Sequence, residues 1–230
     1  MKIIYRISDA GYNKVKPNYI NNENCLKNAS LYFKEADWLI IADNTSEVTD
    51  KMIAKYQSNV IKVSVGHGAG TFNLALDEVL KYNNDEIIYF LENDYIHKPE
   101  SFKVLTEGIN IGADYVSLYD HPDKYIDGAN PFVERGGEIT KVFLSDLCHW
   151  KLTNSTTMTF AAKVKTLRED EKVLRDFTSG SYPRDFEMFL KLRDKGRSLI
   201  TPIPGYATHG ETAWLSPLTN WNDICNNTNI

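Results

Sequence analysis

The chain has 230 residues, a formal net charge of −5, 25% charged and 42% hydrophobic side chains. That length suits one domain with a sizeable core, and the absence of any Lys/Arg-rich run excludes the basic footprint that nucleic acids require. No stretch of about 18 consecutive apolar residues occurs, so no helix of this sequence is expected to span a membrane.

Residues 2–7 form a β-rich run that Arg6 interrupts, too short and too charged for a signal peptide. Residues 22–34 predict a helix with Cys25, Leu26, Ala29 and Phe33 on one face. The run 38–42 is continuously apolar, as in a strand buried on both faces. A short helix over 49–56 and a strand over 60–65 follow, then the turn Gly66-His67-Gly68-Ala69-Gly70. A helix over 71–82, an apolar strand over 86–91, a helix over 99–109 and a strand over 115–119 complete this half. Such β-α-β-α order predicts an α/β fold, with a mainly parallel sheet and helices on both faces. Ligands of such sheets bind beyond the carboxyl ends of the strands, so the polar residues that follow each strand are the ones to examine.

The second half is less regular. Gly136-Gly137 predicts a turn, residues 139–143 and 158–161 strands, and 184–195 an amphipathic helix capped by Gly196. A strand over 198–200 precedes the Pro202-Ile203-Pro204-Gly205 turn and an Asn-rich tail. With no repeat and no linker, one domain is expected, its nucleotide half over about 1–120 and its acceptor half over about 121–230. The three cysteines, Cys25, Cys148 and Cys225, are far apart and include no C-x-x-C pair, which argues against a structural zinc and for a reducing, cytoplasmic setting.

Four segments carry chemistry. The strand ending in Leu91-Glu92-Asn93-Asp94 places two carboxylates at i, i+2. Mg²⁺ and Mn²⁺ prefer such oxygen ligands together with substrate phosphates. An ion there would steady a departing diphosphate, although acid-x-acid pairs also form ordinary caps and turns. The strand ending in Asp43 offers a carboxylate to a nucleobase N–H or a ribose hydroxyl, or else simply closes an Asx-turn. Asp185 and Glu187 open the 184–195 helix, where the dipole favours carboxylates and where one can serve as a general base. His209 follows the last predicted strand.

In this order the segments resemble the inverting GT-A glycosyltransferases of the large family 2 type. Asp43-Asn44-Thr45-Ser46 resembles that family's base-holding turn, and Glu92-Asn93-Asp94 resembles its Asp-x-Asp metal motif. Asp185-Phe186-Glu187-Met188 resembles its catalytic-base helix, although Arg184 stands where the family usually has Glu. The resemblance implies a Rossmann-like GT-A fold and an Mn²⁺ or Mg²⁺ ion held by Asp94, His209 and Glu92. It further implies Asp185 as base with Glu187 next in line. Donor contacts are expected from Asp43, Ser8, Asn73, Glu92 and Asn93. The implied partners are a nucleoside-diphosphate sugar, UDP- or dTDP-linked, and a glycan or other hydroxyl acceptor.

Two other readings stand beside it. Sugar nucleotidyltransferases share an α/β sheet but carry a Gly-rich, basic phosphate loop after the first strand, a density that Ile7-Ser8-Asp9-Ala10-Gly11 lacks. A non-catalytic carbohydrate-binding protein would stack sugars on Trp150, Trp214 and Trp221.

Overall fold

The computed structural model describes residues 1–11 and 14–228. Its first half alternates as the sequence predicts: β1 (Lys2–Ser8), α1 (Asn22–Tyr32), β2 (Asp37–Asp43), α2 (Glu47–Ile53), β3 (Val60–Val63), α3 (Gly68–Val79) and β4 (Ile87–Glu92). Side chains fix where these helices begin. Asn21 accepts from Asn24 N, Ser46 from Thr49 N, and the His67 ring from Gly70 N, each satisfying an otherwise unpaired helical N–H. The His67 cap starts α3 at Gly68, three residues before the predicted start, so the Gly-rich segment is the first turn of a helix.

After β4 come β5 (Tyr95–His97), α4 (Ser101–Asn110), β6 (Tyr115–Val116), β7 (Val133–Glu134), β8 (Gly137–Glu138), β9 (Val142–Leu144), β10 (His149–Leu152) and β11 (Phe160–Lys163). The turn that joins β7 to β8 is Arg135-Gly136, both at positive φ, one residue before the expected Gly136-Gly137. The chain ends with α5 (Val164–Asp176), α6 (Asp185–Asp194), β12 (Leu199–Ile203), β13 (Ala207–His209) and α7 (Trp221–Asn227). Two of these helices escape the sequence pattern. Asp170 sits on the buried face of α5 and interrupts its apolar stripe. In the Asn-rich tail, α7 buries Trp221 and Cys225, one turn apart, with Ile224 partly buried beside them.

One nine-stranded sheet runs through both halves in the order β3-β2-β1-β4-β11-β6-β12-β10-β9. Strands β3, β2, β1, β4, β6, β12 and β9 point one way, and β11 and β10 run against them. The sheet is therefore mainly parallel, as expected, and each reversed strand is antiparallel to both its neighbours. Helices α1, α2 and α4 pack on one face through Leu26, Phe33, Ile53 and Leu105. Helices α3, α5 and α6 cover the other through Phe72, Leu76, Leu174 and Phe189. A small second sheet pairs β13 with β5, and α7 packs beside it. Among the described residues no helix is long and apolar enough to cross a membrane.

Candidate active site

Parallel register lines up the strand ends. Ser8 pairs with Asp43 and Arg6 with Glu92, so β1, β2 and β4 deliver their last polar residues to one edge. Beyond that edge lies a cleft of about 680 Å³, walled by these strand ends, the first turn of α3 and the segment after β1. It is where the rule for open α/β sheets places a ligand.

Asp43 forms one wall. The carboxylate is nearly fully buried and engaged by its own fold: Oδ1 accepts from Val65 N at 2.7 Å and from Asn44 Nδ2 at 3.0 Å, and Oδ2 accepts from Gly66 N at 2.9 Å. Gly66 has φ +83, a left-handed backbone that glycine adopts without a Cβ clash. Asp43 thus holds the turn that aims α3 at the cleft, and Oδ2, with one donor, keeps acceptor capacity towards it.

Arg6 organises the floor. Although it lies in the middle of an apolar strand, its guanidinium donates to Glu92 Oε1 at 3.0 Å, Gly68 O at 3.1 Å and Met158 O at 3.1 Å. One side chain thereby ties together β4, the start of α3 and the turn that leads into β11. Burial raises the Glu92 pKa from its ordinary value; the Arg6 ion pair offsets this only in part, and the Asp94 charge adds to it.

Asp94 and His209 are brought together by the β13–β5 pairing, in which His209 faces Tyr95. His209 Nε2 lies 3.3 Å from Asp94 Oδ2. Gly210 permits the approach, because a Cβ there would meet the Asp94 carbonyl oxygen at 2.7 Å. Two lysines from the segment after β1 close on the same atoms. Lys16 Nζ is 3.0 Å from Asp94 Oδ2, and Lys14 Nζ is 3.1 Å from His209 Nε2 and 4.0 Å from Glu211 Oε2. Nε2 can accept from the Lys14 ammonium or donate to the Asp94 carboxylate, one at a time. Burial pushes the Asp94 pKa up, but His209, Lys16 and Lys14 outweigh it and hold the carboxyl well below its ordinary value.

The expected cation set of Asp94, His209 and Glu92 is not assembled. Asp94 Oδ1 is buried without a hydrogen-bond partner, which leaves one open donor, and His209 offers a second. Glu92, however, is held by Arg6, and among the described residues no three His, Cys, Asp or Glu groups converge as metal ligands. Lysine ammonium groups cap Asp94 Oδ2 and His209 Nε2, the two atoms that do meet. A divalent ion with three protein ligands does not fit this arrangement.

Other expected contacts divide. Ser8 and Asn93 line the cleft; Asn93 Nδ2 donates to Ser8 O at 3.3 Å and Asn22 Oδ1 at 2.6 Å, joining β1 to α1. Asn73 does not reach the cleft. It faces the residues just after α5, where Nδ2 donates to Thr178 O at 2.9 Å and Oδ1 accepts from Thr178 Oγ1 at 3.1 Å, so its expected donor contact is withdrawn. Asp185 is half-buried, and its Oδ2 accepts from Thr156 N at 2.9 Å and Thr157 N at 2.8 Å. These residues lead into the turn whose Met158 carbonyl receives Arg6, so Asp185 is linked through that turn to Glu92. Glu187 is exposed on α6, and Tyr182, three residues before Asp185, lines the cleft. Of the tryptophans, Trp150 and Trp221 are core residues whose indole N–H groups donate to Ser145 Oγ and Ser216 O, and Trp214 packs against His121. These three tryptophans therefore form no exposed set suited to stacking sugars.

Sequence reasoning missed Arg6, Lys14 and Lys16. Arg6 had a readable signal, a cation alone in an apolar strand that a carboxylate must meet once it is buried. The two lysines had none, because their partners lie 78 and 195 residues away.

No protein-family profile and no curated protein sequence matches the chain. Solved structures with a similar course include that of A197 from STIV, 13% identical, with a TM-score of 0.45 over 90% of this chain and 84% of that one. Another is CMP:2-keto-3-deoxy-manno-octonic acid synthetase complexed with CTP, 13% identical, with a TM-score of 0.47 over 92% and 93%. At 13% identity the chemistry of the site rests on this chain's own geometry.

Proposed function

We propose that the chain transfers a glycosyl group from a nucleoside-diphosphate sugar to a hydroxyl acceptor by a single, inverting displacement, as a GT-A-type enzyme. The observation that carries the reading is the cleft itself, lined beyond parallel strand ends by Asp43, the Arg6–Glu92 pair and Asp94, with His209 buried behind Asp94. The base of the donor sits against Asp43, whose Oδ2 can accept the N3–H of uracil or thymine; hence UDP- or dTDP-sugars are favoured. The diphosphate lies toward Asp94 and His209, among the cations of the cleft.

In the reaction the acceptor oxygen bonds to the anomeric carbon on the face opposite the diphosphate. The bond from that carbon to the diphosphate oxygen breaks, and its electron pair leaves with the nucleoside diphosphate. The hydroxyl proton passes to the Asp185 carboxylate, which α6 and the Thr156 and Thr157 N–H groups hold in place. Calorimetry with UDP, dTDP, GDP and CDP tests the donor site. Uridine or thymidine diphosphate is expected to bind, and failure of all four to bind at millimolar concentration refutes the reading.

A specific observation favours a second reading. Lys14 and Lys16 bring two ammonium groups into the cleft from the segment after β1, where a sugar nucleotidyltransferase carries its phosphate loop. Release of pyrophosphate from a nucleoside triphosphate and a sugar phosphate would establish that reaction in place of glycosyl transfer.

A further inference from the structure

We propose that Lys14 and Lys16 supply the positive charge that holds the donor's diphosphate, so that donor binding by this chain needs no divalent cation. The inference rests on the nucleotide reading of the cleft and deepens it. Lys16 Nζ contacts Asp94 Oδ2 and Lys14 Nζ contacts His209 Nε2, so of these metal-donor atoms only the buried Asp94 Oδ1 is left without a partner. An ion bound to both residues would have to sit close to those two ammonium groups, and like charges oppose that. The remaining carboxylate, Glu92, is already neutralised by Arg6 at 3.0 Å.

Arg6 cannot take over the phosphate role without releasing Glu92, Gly68 O and Met158 O, which it joins. The lysines can. Both line the cleft, both are partly solvent-exposed, and each ends in a rotatable ammonium with three donors. A phosphate oxygen entering beside Asp94 and His209 takes up donors that already point there, and the ammonium groups need not travel. Asp94 and His209 are then positioning residues: they hold the two lysine heads in the cleft before the donor arrives, and bind no metal. The pair also compensates the charge that develops as the diphosphate leaves, the work otherwise given to a metal.

The test is calorimetric titration of the full chain with UDP, dTDP, GDP and CDP, in EDTA and again in MnCl₂. The expected result is that the preferred diphosphate binds in EDTA within about threefold of its affinity in Mn²⁺. Lys14→Gln and Lys16→Gln each weaken binding in EDTA roughly tenfold, the scale of one charge-assisted hydrogen bond. Lys14→Arg and Lys16→Arg retain most of it, and melting temperatures confirm that all four variants fold. Binding that appears only with Mn²⁺ and is unchanged in the Gln variants overturns this inference and leaves the nucleotide reading standing. Absence of binding under both conditions overturns the nucleotide reading and the inference with it.

Discussion

Replacing Asp43 by alanine tests the view that this carboxylate builds the cleft before it reads a base. The substitution removes the acceptor for Val65 N and Gly66 N, at 2.7 and 2.9 Å, and for Asn44 Nδ2 at 3.0 Å. The site is 3% exposed, so water replaces the lost oxygens only from the cleft side, where Oδ2 faces. Each backbone N–H left without a partner costs about 1–3 kcal/mol, and two give a loss of about 2–6 kcal/mol, with about 3 kcal/mol expected where cleft water helps. For a chain of this length about 1 kcal/mol corresponds to roughly 2–4 °C, so the melting temperature should fall by roughly 6–12 °C. Thermal unfolding followed by circular dichroism at pH 7 measures it. Asp43→Asn keeps one acceptor oxygen and should lose about half as much. If Asp43→Ala melts within about 1 °C of the parent, the carboxylate is not what holds the β3–α3 turn, and the assignment of this wall fails.

The other expectations concern the base and a buried ion cluster. Asp185→Asn keeps an oxygen for the Thr156 and Thr157 N–H groups and removes the basic one, so turnover should drop by roughly 10²-fold with donor affinity unchanged. Glu187→Gln, on an exposed position of α6, should retain near-normal turnover, and the reverse outcome would move the base to Glu187. Asp170 is fully buried and accepts from Lys195 Nζ at 2.6 Å, Arg197 Nε at 2.7 Å and Tyr115 Oη at 2.9 Å. Removing it leaves Tyr115 Oη without its acceptor, whereas Arg197 keeps Asp114 and Glu169 and Lys195 reaches solvent, so Asp170→Ala should cost about 1–3 kcal/mol in urea unfolding. Burial raises the Asp170 pKa, but those hydrogen bonds outweigh it and bring the folded value below the ordinary one. Its stabilisation is therefore complete above the unfolded carboxyl value of about 3.9 and disappears as pH falls through the lower folded value. The parent should lose more stability than Asp170→Ala between pH 5 and pH 2 on the order of this linkage; parallel stability curves would refute it.

The sequence by itself determined the parallel strands and their polar ends. Apolar runs such as 38–42 and 87–91 are local signals, and the rule that ligands lie beyond strand ends needs only strand direction. Asp43, Ser8, Glu92, Asn93 and Asp94 were legible for that reason, and all five line the cleft. Helix α5 was not, because the buried Asp170 breaks the apolar stripe by which a helix is read, and its partners Tyr115, Lys195 and Arg197 lie elsewhere in the chain. Tertiary structure alone decided what each site residue touches. Asn73 turned to Thr178 because its position on α3 faces the residues just after α5. Glu92 took Arg6 because parallel register puts the two side by side. His209 reached Asp94 because β13 pairs with β5, and the lysines reached both from a segment with no periodic pattern of its own. Periodicity reports which face of an element is buried. The partner across 78 or 195 residues is set by how the sheet closes, and the charge of the cleft depends on those partners.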